Sequence, residues 1–457
     1  MWLAINYFLY LFFMDSFKNK YGEVFTPKHL VDKMLDLIPN YIWKNTDTKW
    51  LDPGSGQGQF TENIYYRLYN HLEPFIPCKR EREKHILHTM LHMIEINQLN
   101  VEKTIHNFSH FSQSPNIISA NYLEYDLPHS SFDVIVGNPP FNFDSVKKVP
   151  TNTVKNKKND GTTIWIDFVK KSLSLLKDNG ILCFITPSIW LKPDKQKCYD
   201  LITQYQIHHI ICMNNTETNK TFNGEAQTPT VIFTLQKCPK FKNTLIYDKD
   251  TNEFVNFNIT NNIPIPVYGV SIVNKLLTYT NLYGSIKKYV HKTNPLTKNI
   301  NIVTDNQNYP NISTCLLNKN KPNIVINYSN NPCPYHGITK LVLAHKMYGF
   351  PYYDKSGEYG ISSRDNYVII HHNISILENF FDFFNNHFAI YLFETTRYRM
   401  KYLEKYVFEF IPDISKIPNF PTTINQDTIM NFFNINETER NYIYNLHNYK
   451  YSFFEKN

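Results

Sequence analysis

Residues 132–141 read FDVIVGNPPF, and this stretch constrains the fold more than any other. DVIVG is an apolar, β-branched run of the kind that forms a buried strand. It delivers a side-chain amide, two prolines and an aromatic ring to its carboxyl end. In open α/β sheets that is where ligands bind. For the NPP segment alone, a plain proline-rich turn after a strand is the safer reading.

The surrounding pattern supports such a sheet. From Tyr21 to about Lys237, short apolar runs alternate with helical stretches. Strands are predicted over 49–51, 93–96, 117–119, 134–136, 181–185, 207–213 and 230–235, and helices over 28–37, 59–69, 81–91 and 164–176. This alternation predicts an α/β sheet with helices on both faces. Only a loop, 214–229, separates the last two strands, which predicts that they pair antiparallel. After Cys238 the texture changes to strand-like pieces, Asn-rich loops and prolines, with helices predicted over 376–384 and 392–406. The expected organisation is an N-terminal extension over 1–20, a catalytic domain over 21–239 and a mixed α+β domain over 240–457.

The chain has 457 residues, 15% of them aromatic, and a formal net charge of +7. That is a globular composition rather than a disordered one, and the charge permits a polyanionic partner without requiring one. The seven cysteines include no CxxC pair, so no disulfide framework and no metal site is expected, and a reducing, cytoplasmic compartment fits best. Residues 1–14, MWLAINYFLYLFFM, are apolar but shorter than the ~20 residues of a membrane span. They lack a basic n-region and a small-residue cleavage site. The expectation is a mis-assigned start before Met14 or a short added helix, not a membrane anchor.

Residues 51–60, LDPGSGQGQF, follow a strand and precede a helix. Glycines there allow a sharp turn and close backbone approach to a ligand, and Asp52 at the strand end can anchor a charged ligand group. A plain tight turn is the competing reading. Glu95, at the end of the next strand, is a ribose-binding candidate when read with that turn. By itself it would be a strand-end carboxylate facing water. In NPPF, the Asn138 amide oxygen and the Pro139 carbonyl are two fixed acceptors for an exocyclic amino group, Pro140 stiffens the segment, and Phe141 offers a face for a planar base. Two such acceptors would draw an amino nitrogen out of conjugation and free its lone pair for attack on a sulfonium methyl.

Taken in order, these motifs resemble those of the N6-adenine DNA methyltransferases in which the cofactor motif precedes the catalytic one and a target-recognition domain comes last. The matching stretches are FTPKHLVDKM (25–34), DPGSGQGQF (52–60), MIEIN (93–97), ANYL (120–123), NPPF (138–141) and TIWIDFVKKSLSLLKDNGILCFITP (163–187). The resemblance implies a Rossmann-like S-adenosylmethionine-dependent methyltransferase domain with an antiparallel final strand. It implies that Thr26 holds the methionine carboxylate of S-adenosylmethionine, that Asp52, Gly54, Gly56 and Phe60 shape the pocket, and that Glu95 binds the ribose. Asn121 stands where the family usually has Asp, and with Tyr122 it would contact the cofactor adenine. Asn138 and Pro139 would accept from the target N6 and Phe141 would stack on the base. Phe222 falls where relatives place an aromatic on the base's opposite face, and an ordinary loop anchor is the competing reading.

Lys147 and Lys148 follow NPPF in a lysine-rich stretch suited to phosphate contacts. In the last domain Arg397 and Arg399 could reach phosphates or guanine edges. The implied partner is double-stranded DNA, with a separate restriction endonuclease as a further partner, no membrane association and a monomeric state. An RNA adenine methyltransferase, a protein glutamine N-methyltransferase with the same tetrad, and an inactive DNA-binding relative are the alternatives. The long segment after Cys238 weighs against the glutamine enzymes, which are smaller.

Overall fold

The computed structural model describes residues 24–111, 113–142, 163–304, 309–318, 321–345, 351–399 and 402–450. The expected extension over 1–20 lies outside the described residues. The chain divides into two compact units, 1–190 with 194–245, and 191–193 with 246–457.

The first unit is built on strands β1 (Trp50–Asp52), β2 (Leu91–Glu95), β3 (Ile117–Ser119), β4 (Phe132–Gly137), β5 (Leu176–Pro187), β6 (Tyr205–Met213) and β7 (Thr230–Pro239), in the order β3-β2-β1-β4-β5-β7-β6. Strands β3, β2, β1, β4 and β5 run parallel, while β7 is antiparallel to both β5 and β6. This is the antiparallel final strand expected from the sequence. Val134–Val136 and Ile181–Ile185 are buried without alternation, as a sheet covered on both faces requires.

The helices of this unit are α1 (Lys28–Leu35), α2 (Gln59–His71), α3 (Lys79–His85), α4 (Gln98–Asn107), α5 (Trp165–Leu175), α6 (Cys198–Thr203) and α7 (Asn215–Thr221). Helix α1 buries Leu30, Val31, Met34 and Leu35, the 3- and 4-residue spacing of one apolar stripe. Arg67 of α2 pairs with Asp32 and Asp36 and ties the two helices together. Two stretches differ from expectation. The helix expected over 81–91 ends at His85 and passes through a π-helical turn, Ile86–Met90, into β2. The expected loop 214–229 contains α7, which is started by a capping box in which the Asn214 side chain accepts from the Glu217 N–H and the Glu217 side chain accepts from the Asn214 N–H.

The second unit holds two four-stranded sheets. One contains β8 (Lys340–Ala344) and β9 (Asn366–Ile369), paired antiparallel. Along them alternate residues point to opposite faces. Leu341, Leu343, Tyr367 and Ile369 join a core with the helices α8 (Val270–Tyr283), α9 (Ile374–Phe384) and α10 (His387–Glu394), whereas Val342, Ala344 and Val368 pack on Ile312 and Cys315 of the other sheet. The helix expected over 392–406 is a further difference, because α10 stops at Glu394. Thr395 Oγ1 and Thr396 Oγ1 bond to the carbonyls of Leu392 and Phe393, a side-chain competition that disfavours continuing the helix. All seven cysteines are free thiols. Among the described residues no helix is long and apolar enough to cross a membrane.

Candidate active site

Parallel register brings the sequence motifs to one edge of the first unit's sheet. Asp52 lies opposite Met93, Glu95 opposite Ser119, and Leu51 opposite Ile135. The loops that begin after Asp52, Glu95, Ser119 and Gly137 therefore all leave the carboxyl edge. They flank the boundary between β1 and β4, where the strand order reverses, the usual ligand crevice of such sheets.

The turn after β1 depends on glycine. Gly56 and Gly58 adopt φ of 55° and 82°, values that residues with a Cβ rarely tolerate, and a Cβ at Gly58 would meet Thr104 Cγ2 at 3.0 Å. Glu95 stabilises the turn from β2. Its Oε2 accepts from the Gly56 N–H at 2.7 Å and its Oε1 from the Asn97 N–H at 2.8 Å. Glu95 is 5% exposed, so these bonds act in a poorly solvated setting.

Asp52 is fully enclosed. Its Oδ1 accepts weakly from the Gly54 N–H at 3.4 Å, while its Oδ2 finds no hydrogen-bond partner among the described residues. Burial, reinforced by the negative charge of Glu95, pushes its carboxyl up to about 8. The Ser55 hydroxyl beside it is also buried and likewise without a partner among the described residues. Buried polar groups are rarely left unsatisfied, so this pair fits a ligand that brings a cation and further polar groups. Ser55 went unnoticed in the sequence, where it is one small residue among glycines. Phe60, the second residue of α2, is buried behind the turn.

Gly137 is what brings β4 next to this carboxylate, since a Cβ there would stand 3.1 Å from Asp52 Oδ1. The next residue, Asn138, donates through Nδ2 to the Val24 carbonyl and to Thr26 Oγ1, each at 3.2 Å. Pro139 is buried, and Pro140 and Phe141 are half-buried. The Phe141 carbonyl accepts from the Ile164 N–H at 3.2 Å, which fixes the segment to the start of α5.

Other candidates sit differently. Asn121 Oδ1 accepts from the Leu123 N–H at 3.1 Å and so caps its own turn. Tyr122 is 2% exposed, its hydroxyl 2.9 Å from Ser172 Oγ and its ring packed on Phe168. Phe222, just after α7, is 3% exposed. Lys147 and Lys148 lie outside the described residues. In the second unit Arg397 binds both oxygens of Glu394, and Arg399 binds Glu404 through Nε and Nη2. Glu404 is buried and also receives Lys192 Nζ at 2.6 Å. Among the described residues no cluster of three metal-ligating side chains occurs.

The fold and this edge define a class, a Rossmann-like α/β domain with a ligand crevice at the carboxyl edge of its sheet. The comparisons narrow it. Residues 32–219 match the family described as Eco57I restriction-modification methylase. An uncharacterized adenine-specific methylase of Mycoplasma pneumoniae is 26% identical over 37% of this chain and 56% of its own. The type II methyltransferase M.AccI of Acinetobacter calcoaceticus is 26% identical over 47% of this chain and 37% of its own. The chain thus spans about half or less of the length of these relatives. Among solved structures, the M protein of the type I restriction enzyme EcoKI is 17% identical with a TM-score of 0.37, covering 51% of this chain and 49% of that one. The type ISP restriction-modification enzyme LlaGI is 15% identical with a TM-score of 0.41, covering 64% and 29%. Over residues 32–219 the chain is thus similar to restriction-modification methylases, and it is similar in part to an adenine-specific one.

Proposed function

We propose that the chain transfers a methyl group from S-adenosylmethionine to the N6 of an adenine turned out of duplex DNA, as the modification activity of a restriction-modification system. The observation that carries this reading is the adjacency made by Gly137. It sets a buried carboxylate with an unpartnered oxygen next to the strand end that presents Asn138 and Pro139.

The residues present fit S-adenosylmethionine. Asp52 Oδ2 and Ser55 Oγ would take its polar methionine end, and Glu95, which accepts from the Gly56 and Asn97 N–H groups, would bind the ribose hydroxyls. When bound, it supplies an activated methyl group on a sulfonium. The chain's own residues then act on the base. Asn138 Oδ1 and the Pro139 carbonyl accept the two protons of the amino group, which makes its nitrogen pyramidal and nucleophilic. Phe141 stacks on the ring. The amino nitrogen would then be the nucleophile for that methyl group, whose bond to sulfur the new C–N bond replaces, and the excess proton on nitrogen would leave to water. Holding the partners in line can supply roughly 7–11 kcal/mol of the barrier.

The second unit would supply sequence reading. With Arg397 and Arg399 both bound to glutamates, Arg397 retains little freedom, and Arg399, about half-exposed, would have to read DNA while paired.

Incubation of the full chain with labelled S-adenosylmethionine and, separately, duplex DNA, structured RNA and a glutamine-bearing peptide tests the reading. N6-methyladenine in the nucleoside digest of the DNA alone is expected. Label in the RNA or peptide but not in DNA would refute it.

A further inference from the structure

We infer that Thr26 is a positioning residue for Asn138: with the Val24 carbonyl it fixes which end of the Asn138 amide faces the reacting group. The inference rests on the reading of Asn138 as acceptor for the target amino group. Asn138 Nδ2 stands 3.2 Å from the Val24 oxygen and 3.2 Å from Thr26 Oγ1. A carbonyl oxygen can only accept, so the NH2 end of the amide must face it and Oδ1 must face the other way. The terminal torsion of an asparagine is broad and roughly two-fold, so an unrestrained amide would also present its NH2 group to the substrate amine. Two donors would then oppose each other and the lone pair on the amine would stay in conjugation.

The holding segment is itself well fixed. Thr26 is 6% exposed. Pro27, the N-cap of α1, has φ −61° and ψ 145°, and α1 is anchored by Leu30, Val31, Met34 and Leu35. Phe25, between the two acceptors, packs against the Gly-rich turn, since a Cβ at Gly56 would come 3.3 Å from Phe25 Cε1. One short segment therefore touches both the cofactor turn and the amide. A hydroxyl has two lone pairs and one proton. Thr26 can accept from Asn138 and still donate to the methionine carboxylate, the role implied by the family resemblance. The two roles are separable because the second affects cofactor affinity and the first affects turnover.

The test compares wild type, Thr26→Ser and Thr26→Val in the full chain. It measures kcat at saturating S-adenosylmethionine and DNA, S-adenosylmethionine Kd by calorimetry, and the thermal melt. Loss of this bond predicts a kcat lower by about tenfold or more in Thr26→Val, with Thr26→Ser within about threefold of wild type. If Thr26→Val shows no cooperative melt, Thr26→Ala takes its place. A Thr26→Val enzyme with wild-type kcat and only a raised Kd would overturn the inference, as would a Thr26→Ser enzyme as slow as Thr26→Val. A readout without turnover separates this from the functional reading: the Asn138 side-chain amide protons, followed by NMR with 15N-asparagine, exchange slowly in wild type and at least tenfold faster in Thr26→Val. Equal exchange in both would overturn the inference even in a protein that methylates nothing.

Discussion

The Gly56 backbone N–H donates to Glu95 Oε2 at 2.7 Å, so the carboxylate that ends β2 shapes the turn that follows β1. With its second bond to the Asn97 N–H, Glu95 is needed for the form of the pocket and for any hydrogen bond it makes to a ligand. Glu95→Ala would remove the acceptor of two backbone N–H groups, that of Asn97 buried and that of Gly56 partly so. It should lower stability by about 1–3 kcal/mol and weaken S-adenosylmethionine binding. Thermal melts and isothermal titration check both, and unchanged affinity would place the cofactor elsewhere.

If Asp52 holds the cofactor as proposed, it makes binding pH-dependent. Its folded-state pKa of about 8 exceeds the usual value of 3.8. Folding therefore becomes less favourable through this group as pH rises from about 4 to 8, where the unfolded chain ionises Asp52 and the empty folded protein does not. A cationic ligand needs the carboxylate, so at pH 7 binding releases a proton. S-adenosylmethionine affinity should rise up to about tenfold per pH unit between 6 and 7.5, and Asp52→Asn should lose that slope while gaining apo stability at pH 8. Calorimetry in buffers of different ionisation enthalpy detects the proton. No proton release in wild type would count against the assignment.

Glu404 holds the second unit together electrostatically. It is buried between Lys192 and Arg399, and both cations draw its carboxyl below the usual range in spite of burial. Glu404→Ala leaves Lys192 buried without its counter-charge and should cost about 3–5 kcal/mol. Arg399→Ala leaves the Lys192 pair intact and should cost less. Melting curves of the two variants order them, and the reverse order would refute this division.

Phe222 separates a base-stacking residue from a structural one. At 3% exposure it acts first as an anchor for the end of α7, so Phe222→Ala should destabilise the protein by about 3–5 kcal/mol. Wild-type stability with reduced methylation would restore the stacking role.

Much of this was legible because the first unit follows simple periodicities. Every strand expected before Cys238 formed, since short β-branched runs such as DVIVG favour a sheet covered on both sides. The antiparallel β7 followed from the short connection to its neighbour. What escaped notice lies in local competition and in backbone contacts. The seven-residue α7 is too polar to show an apolar stripe, and only its capping box, Asn214 and Glu217, announces it. The chain 392–406 keeps a helical pattern, but Thr395 and Thr396 divert backbone bonds. The Val24 carbonyl that holds Asn138 has no sequence signature, and the ion pairs of Arg397 and Arg399 depend on where Glu394 and Glu404 fall in three dimensions.

The central claim, that Asn138 acts on the substrate amine and not on the cofactor, is tested most directly by Asn138→Ala. Methyl transfer to duplex DNA and S-adenosylmethionine affinity are measured on the same preparation. Transfer should fall far more than tenfold, a barrier increase well above ~1.4 kcal/mol, while Kd for S-adenosylmethionine stays within about threefold of wild type. Transfer retained within tenfold of wild type would contradict the account.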